Sequence, residues 1–207
     1  MKARVMNELD ILKRTIDYYD KNAESWSRSH CYKQEQSFWK EEMEKFHELL
    51  PKGKVIEIGS GSGKDAKALV DFDYDYMGTD VSKGLLKAAK RNNPNETFLN
   101  IAVQDLVFDG ESFDGFWTVA TLLHIPKNKI GAALQSIKNI IKPGGVGFIS
   151  LKAGSGESVD PNTGRWWSYY SLEEFHGILN KNGFEVIEER TRKGDSAWWL
   201  MYWVRRK

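Results

Sequence analysis

With 207 residues the chain has the length of one domain, and a chain of that size buries roughly 70% of the surface its unfolded form exposes, enough for a substantial core. Lys and Arg number 30 against 29 Asp and Glu, and the net charge of +1 argues against a protein that grips nucleic acid or an anionic membrane. The only cysteine, Cys31, excludes an intrachain disulfide and fits a reducing, cytoplasmic setting; the N-terminus is charged and has no apolar stretch of signal-peptide length.

In chain order, residues 1–50 read as an N-terminal helical cap and 51–207 as the main body of the same domain. Val5, Leu9, Leu12, Ile16 and Tyr19 recur at spacings of four, three, four and three, one face of a helix. Trp39, Met43, Phe46 and Leu50 repeat the pattern until Pro51-Lys52-Gly53 breaks it. Residues 20–30 between them are polar, with Trp26 as their one large aromatic.

The most informative stretch is Val55-Ile56-Glu57-Ile58-Gly59-Ser60-Gly61-Ser62-Gly63-Lys64-Asp65-Ala66. It predicts a buried strand, a tight glycine turn and a helix, with room for a ligand against the peptide groups at the turn. A phosphate-binding P-loop fails twice, because Asp65 follows Gly63-Lys64 and Ile58 stands where the first glycine belongs. The dinucleotide pattern G-x-G-x-x-G is weakened, since Lys64 replaces its third glycine. Asp80 closes the next apolar run 21 residues after Gly59, near the interval of about 20 at which an adenosine site places a carboxylate on the ribose hydroxyls. The alternative is that Asp80 merely caps the helix that follows.

Beyond it, Leu85 to Arg91 read as a helix stopped by Asn92-Asn93-Pro94, and residues 97–101 as a third strand leading to Gln104-Asp105-Leu106. Residues 113–120 form the fourth strand, followed by Thr121-Leu122-Leu123-His124-Ile125-Pro126. In an open α/β sheet the crevice lies at such C-terminal strand ends. His124 is there either a general base titrating near neutrality or a structural hydrogen-bond donor. Ile130, Leu134, Ile137 and Ile141 mark a helix closed by Lys142-Pro143-Gly144-Gly145, and residues 146–151 a fifth strand. Residues 152–170 read as a long turn-rich loop ending in Arg165-Trp166-Trp167-Ser168-Tyr169-Tyr170. Arg165, Trp166 and Tyr169 are its candidates for a substrate wall, with alternate aromatics in the core. A capping box at Ser171 and Glu174 opens another helix, and residues 184–187 and 197–204 pair as a final hairpin whose second strand is almost wholly apolar yet too short to span a bilayer.

The Glu57-x-Gly59-x-Gly61-x-Gly63 turn with Asp80, and the helix-Lys142-Pro143-Gly144-Gly145-strand segment, resemble the class I S-adenosylmethionine-dependent methyltransferases, and the resemblance spans residues 51–207. It implies a three-layer, Rossmann-like α/β fold with a mostly parallel seven-stranded sheet, whose last strand is antiparallel and inserts between the fifth and sixth. It also implies S-adenosylmethionine as cofactor and S-adenosylhomocysteine as product. Tyr18-Tyr19-Asp20-Lys21-Asn22-Ala23 is similar to the opening of many small-molecule methyltransferases, making Tyr19 and Arg28 candidates for the methionine end of the ligand. Glu57, Gly59, Ser60, Gly61 and Gly63 would shape the turn, Asp80 hold the ribose and Asp105 read adenine between Val81 and Leu106, with Gln104 and Ala120 also among the cofactor-binding residues and His124 near the transferring methyl group. The tetrapeptide of exocyclic-amine nucleic-acid methyltransferases and the Pro-Cys of cytosine-C5 enzymes are both missing, so the expected acceptor is a small molecule, with neither nucleic acid nor membrane as partner. No metal is assigned, and oligomeric state is not legible. A non-catalytic S-adenosylmethionine-binding module and an NAD(P)-dependent oxidoreductase are the competing readings.

Overall fold

Short runs rich in Val, Ile, Phe and Trp, each closed by turn residues, become strands, and the computed structural model, which describes residues 8–30 and 32–207, gathers seven of them into one sheet. Val5 and Cys31 lie outside the described residues, as does the side chain of Leu9. The seven strands are β1 (Lys54–Ile58), β2 (Asp75–Asp80), β3 (Thr97–Asn100), β4 (Phe113–Val119), β5 (Ile141–Lys152), β8 (Phe184–Lys193) and β9 (Trp198–Arg206), while β6 (Glu157–Val159) and β7 (Trp166–Ser168) pair separately as a small antiparallel hairpin. The order across the sheet is β3-β2-β1-β4-β5-β9-β8. The first five strands run parallel, and β9 lies antiparallel between β5 and β8, the insertion that the family resemblance implies. A strand in that position is covered on both faces, and Leu200, Met201, Tyr202, Trp203 and Val204 are all buried.

Alternation along the strands sorts side chains to two faces. Ile56, Ile58, Phe116 and Ile149 meet α5 (Ile130–Ile140) and α6 (Leu172–Lys181) through Leu134, Ile137, Phe175 and Leu179. Val55, Tyr76, Trp117, Phe148 and Trp203 meet α2 (Tyr32–Leu49), α3 (Ala66–Asp71) and α4 (Lys83–Asn92) through Trp39, Met43, Phe46, Leu69 and Leu86. Helix α2 is therefore an outer layer of the sheet; α1 (Glu8–Ser29) packs elsewhere, against α4 and β7.

Three local expectations change. Residues 20–29, expected as a polar connection, continue α1 because that part of the helix docks through polar groups: Asp20 Oδ1 accepts from Ser82 Oγ at 2.6 Å and from the Gly84 amide at 2.8 Å, and Glu24 pairs with Arg91 at 2.8 Å. The loop 152–170 contains the β6–β7 hairpin. The capping box is half formed: Ser171 Oγ accepts from the Glu174 amide at 3.1 Å, but the Glu174 carboxylate pairs with Lys127 at 2.7 Å.

Candidate active site

The glycine turn is anchored by the neighbouring strand. The amides of Gly59 and Ser60 both donate to the Thr79 carbonyl at 2.8 Å, where β2 ends. Gly59 has φ of 76°, and a Cβ there would lie 2.0 Å from Thr121 Oγ1, so the turn after β1 is pressed against the turn after β4. Gly61, at φ of 54°, differs: a Cβ would meet nothing within 4 Å. Beside this open space, Ser60 Oγ is buried with no hydrogen-bond partner among the described residues.

Asp80 faces the same turn. Its Oδ2 accepts from the Gly61 amide at 2.9 Å and its Oδ1 from the Ser82 amide at 2.8 Å. Burial outweighs these amides and pushes its pKa up to about 6. The cap of α4 is Ser82, whose Oγ accepts from the Leu85 amide at 3.1 Å, so Asp80 is not spent on capping. Asn100 Nδ2, at the end of β3, donates to the carbonyls of Asp80 and Val81 at 3.0 and 2.9 Å and fixes this strand end.

Glu57 lies in a buried polar brace. The Tyr76 hydroxyl donates to its Oε2, while Asp65 accepts from Trp117 Nε1 at 3.0 Å and from Lys64 Nζ at 3.2 Å. Burial first, and then the charge of Asp65, push the Glu57 carboxyl well above the usual carboxylate range.

At the end of β4 the backbone turns sharply. Ala120 takes φ of 53°, rare for a residue with a side chain, and its amide bonds to both the carbonyl and Oγ of Ser150 at 3.2 Å. His124 follows in a short 3-10 turn, Leu122–His124. Its Nδ1 lies 2.6 Å from the Trp166 carbonyl, which can only accept, so the proton sits on Nδ1 and Nε2 is an acceptor. Tyr19 Oη, 2.9 Å from Nε2, donates to it, and Arg165 Nη1 donates to Tyr19 Oη at 3.1 Å. A directed chain thus runs from Arg165 through Tyr19 and His124 to the backbone of β7.

His124 does not titrate near neutrality here. Burial lowers its pKa to about 4, assisted by the charges of Arg165 and Lys152 and opposed by the Trp166 carbonyl. Burial likewise raises the Tyr19 hydroxyl, against the pull of Arg165. The Arg165 guanidinium lies 4.5 Å from the ring centre of Tyr18, 4.8 Å from Trp167, 5.5 Å from Tyr19 and 5.7 Å from Trp26, within cation–π range.

The expected site residues divide accordingly. Tyr19, Ser60, Gly61, Asp80, Ala120, His124 and Arg165 occupy the strand ends and the helix and hairpin packed on them, with Gly63 closing the turn by donating to the Ser60 carbonyl at 2.9 Å. Arg28 is exposed and stands apart: nine residues beyond Tyr19 on one continuous helix, it points about 180° away, beside Glu24. Gln104 and Asp105 are exposed on a 3-10 turn, Val103–Asp105, whereas the Leu106 side chain is buried in the core. Trp166 contributes backbone rather than ring: its carbonyl takes His124, its amide donates to Thr15 Oγ1 at 3.1 Å, and its indole donates to Ser168 Oγ at 3.0 Å. Tyr169 packs on Gly154. The ring beside His124 is Trp167, at 4.7 Å. It lies two residues from Arg165 and so shares a strand face with it, while the Trp166 ring points the other way. Lys152 and Asn100, which the sequence reading did not single out, each end a strand at the same edge of the sheet.

Residues 56–149 match a family described as a methyltransferase domain. An uncharacterized protein of Methanocaldococcus jannaschii is 29% identical over 184 residues, covering 84% of this chain and 83% of its own. An uncharacterized methyltransferase of Synechocystis is 24% identical, over 74% of this chain and 80% of its own. The crystal structure of a Burkholderia thailandensis 1,6-didemethyltoxoflavin-N1-methyltransferase, bound to 1,6-didemethyltoxoflavin and S-adenosylhomocysteine, superposes with a TM-score of 0.76 over 100% of this chain and 93% of its own, at 16% identity, a likeness of fold. The residues at the turn suit the adenosyl cofactor: open space at Gly61, an unpartnered Ser60 oxygen and a buried carboxylate able to accept from a diol. The matched segment contains that turn, Asp80 and the end of β4, and the chain carries over those residues a methyltransferase domain of the S-adenosylmethionine-dependent kind, with S-adenosylmethionine as its cofactor.

Proposed function

We propose that this methyltransferase acts on a small molecule enclosed between the ends of β4 and β5, helix α1 and the β6–β7 hairpin. The observation that carries this reading is the closure of α1 onto β7: Tyr19 meets both His124 and Arg165, and Thr15 meets the Trp166 amide. A helix and hairpin joined directly to the residue at the end of β4 would screen that strand end, which favours a small acceptor over a polymer. In this reading α1 is the cap foreseen for residues 1–50, and α2 belongs to the body.

S-adenosylmethionine supplies a methyl group activated by positive sulfur, so the protein's task is alignment and exclusion of water. Positioning of this kind lowers a barrier by roughly 7–11 kcal/mol. Asp80 accepts from the ribose hydroxyls, Ser60 and Gly61 hold the ligand against the turn with Gly59 and Gly63 setting its shape, and Glu57 braces the turn from below. Val81, Gln104 and Asp105 serve the adenine end. Tyr19 faces the reacting side, and Ala120 shapes the backbone there. His124 is a positioning residue, since it is neutral at pH 7 and both its nitrogens are engaged. The single cysteine is consistent with a cytoplasmic enzyme, and among the described residues no helix is long and apolar enough to cross a membrane.

The test is Asp80→Ala. Removing two charge-assisted acceptors should weaken S-adenosylhomocysteine binding roughly a hundredfold while the circular dichroism spectrum stays that of the wild type. Undiminished affinity would move the ribose away from Asp80.

A further inference from the structure

Two cations stand against one indole ring beside the reacting end of the site. Lys152 Nζ is 3.9 Å from the ring centre of Trp167, and the Arg165 guanidinium is 4.8 Å from the same centre. Lys152 ends β5, next in the sheet to β4, whose following turn carries His124, and the His124 ring lies 4.7 Å from Trp167. Among the described residues neither cation forms an ion pair with a carboxylate. Among the described residues Asp160 is the acid whose charge acts on Lys152, and its Oδ1 is already taken by the amides of Asn162 and Thr163 at 2.9 and 3.1 Å. Arg165 uses two of its N–H groups, one to Thr163 Oγ1 at 3.2 Å and one to Tyr19 Oη at 3.1 Å, and a guanidinium carries five.

Surface lysines without partners are ordinary, but this pair is not a surface pair. Lys152 is partly buried, and burial together with the neighbouring Arg165 depresses its pKa, so the two charges oppose each other in a poorly solvated place. Like charges held together in this way cost stability, and an anion between them reverses the sign. Aromatic faces stabilise the cations while leaving their N–H groups available.

On the methyl-transfer reading of this site, we propose that the acceptor is a small organic acid whose anionic group, a carboxylate or a phosphate, is bound by Lys152 and Arg165 against Trp167. The cofactor turn lies on β1 and β2, so the anion subsite and the cofactor site are separable by experiment. The reading also bears on His124: an acceptor recognised by its charge needs no basic histidine to hold it.

The experiment titrates the full chain with benzoate and phenyl phosphate, and with uncharged benzyl alcohol as control, in the presence and absence of S-adenosylhomocysteine, by calorimetry. At least one anion should bind saturably and the alcohol should not; Lys152→Gln should weaken the anion about tenfold. The same variant titrated with S-adenosylhomocysteine should match the wild type, which shows that its fold and cofactor turn persist. Equal binding of the alcohol, absence of anion binding in the millimolar range, or undiminished anion affinity in Lys152→Gln would each overturn the proposal. Failure of the wild type to bind S-adenosylhomocysteine would instead overturn the cofactor assignment, and the titration without it would judge the anion subsite alone.

Discussion

Asp80 and His124 are both buried and both resist the charge they carry in water near neutrality or just below it, but they do so with opposite consequences. The Asp80 carboxyl, at about 6 in the folded chain against an ordinary 3.8, holds a proton that the unfolded chain has lost over that interval, so its contribution to stability falls as pH rises through it. His124, at about 4 against an ordinary 6.5, lacks a proton that the unfolded chain binds, so its contribution rises with pH from about 4 to 6.5. Urea unfolding between pH 4 and 7 should show this as opposite slopes: relative to wild type, His124→Gln loses a term that grows with pH and Asp80→Asn loses one that shrinks, each up to about 3 kcal/mol. Parallel curves for the two variants would mean that these groups are hydrated. Binding should report Asp80 separately. Hydroxyls donating to it favour its ionised form, so S-adenosylhomocysteine affinity should increase through pH 6 and level off above it, and this dependence should vanish in Asp80→Asn. The place of Asp80 beside the glycine turn was legible in the sequence because a carboxylate ending the strand after such a turn is fixed by local chain geometry. The direction of Arg28 was not legible, because it depends on how far α1 continues, which only packing decides.

Among the elements, the glycine turn separates shape from room. Gly59→Ala must both adopt a left-handed φ and displace Thr121, and should cost about 2–4 kcal/mol of stability. Gly61→Ala meets no atom and should cost about 1–2 kcal/mol through backbone conformation alone, while its methyl group occupies the ligand's space and weakens S-adenosylhomocysteine binding more than tenfold. Urea melts and calorimetric titrations of both variants test the distinction; a Gly61→Ala protein with wild-type affinity would show that the open space is not the cradle. Elements with an apolar stripe and punctuation, such as α4, α5 and β9, could be read in advance. The second half of α1 could not, because it docks through Asp20, Glu24 and Ser27, and a polar docking face looks like a solvated one. The β6–β7 hairpin was hidden for a related reason: its strands are three residues each, below the length at which alternation is visible.

For the molecule as a whole, the seven-stranded sheet and the antiparallel insertion of β9 are what the family resemblance implied, and the apolar final strand agrees with it because an inserted strand is covered on both faces. The division at residue 50 was less informative, because Trp39, Met43 and Phe46 bind α2 into the sheet layer while α1 packs on α4 and the hairpin. On the proposed function, that asymmetry leaves one helix rather than two to close the acceptor side. The central claim is that this fold holds an adenosyl cofactor, and not a dinucleotide, at the turn of Gly59, Gly61 and Gly63. Calorimetric titration of the purified chain with S-adenosylmethionine, S-adenosylhomocysteine and NAD, side by side, tests it most directly. The account predicts micromolar binding of the two adenosyl ligands and none of NAD; binding of NAD alone would contradict it.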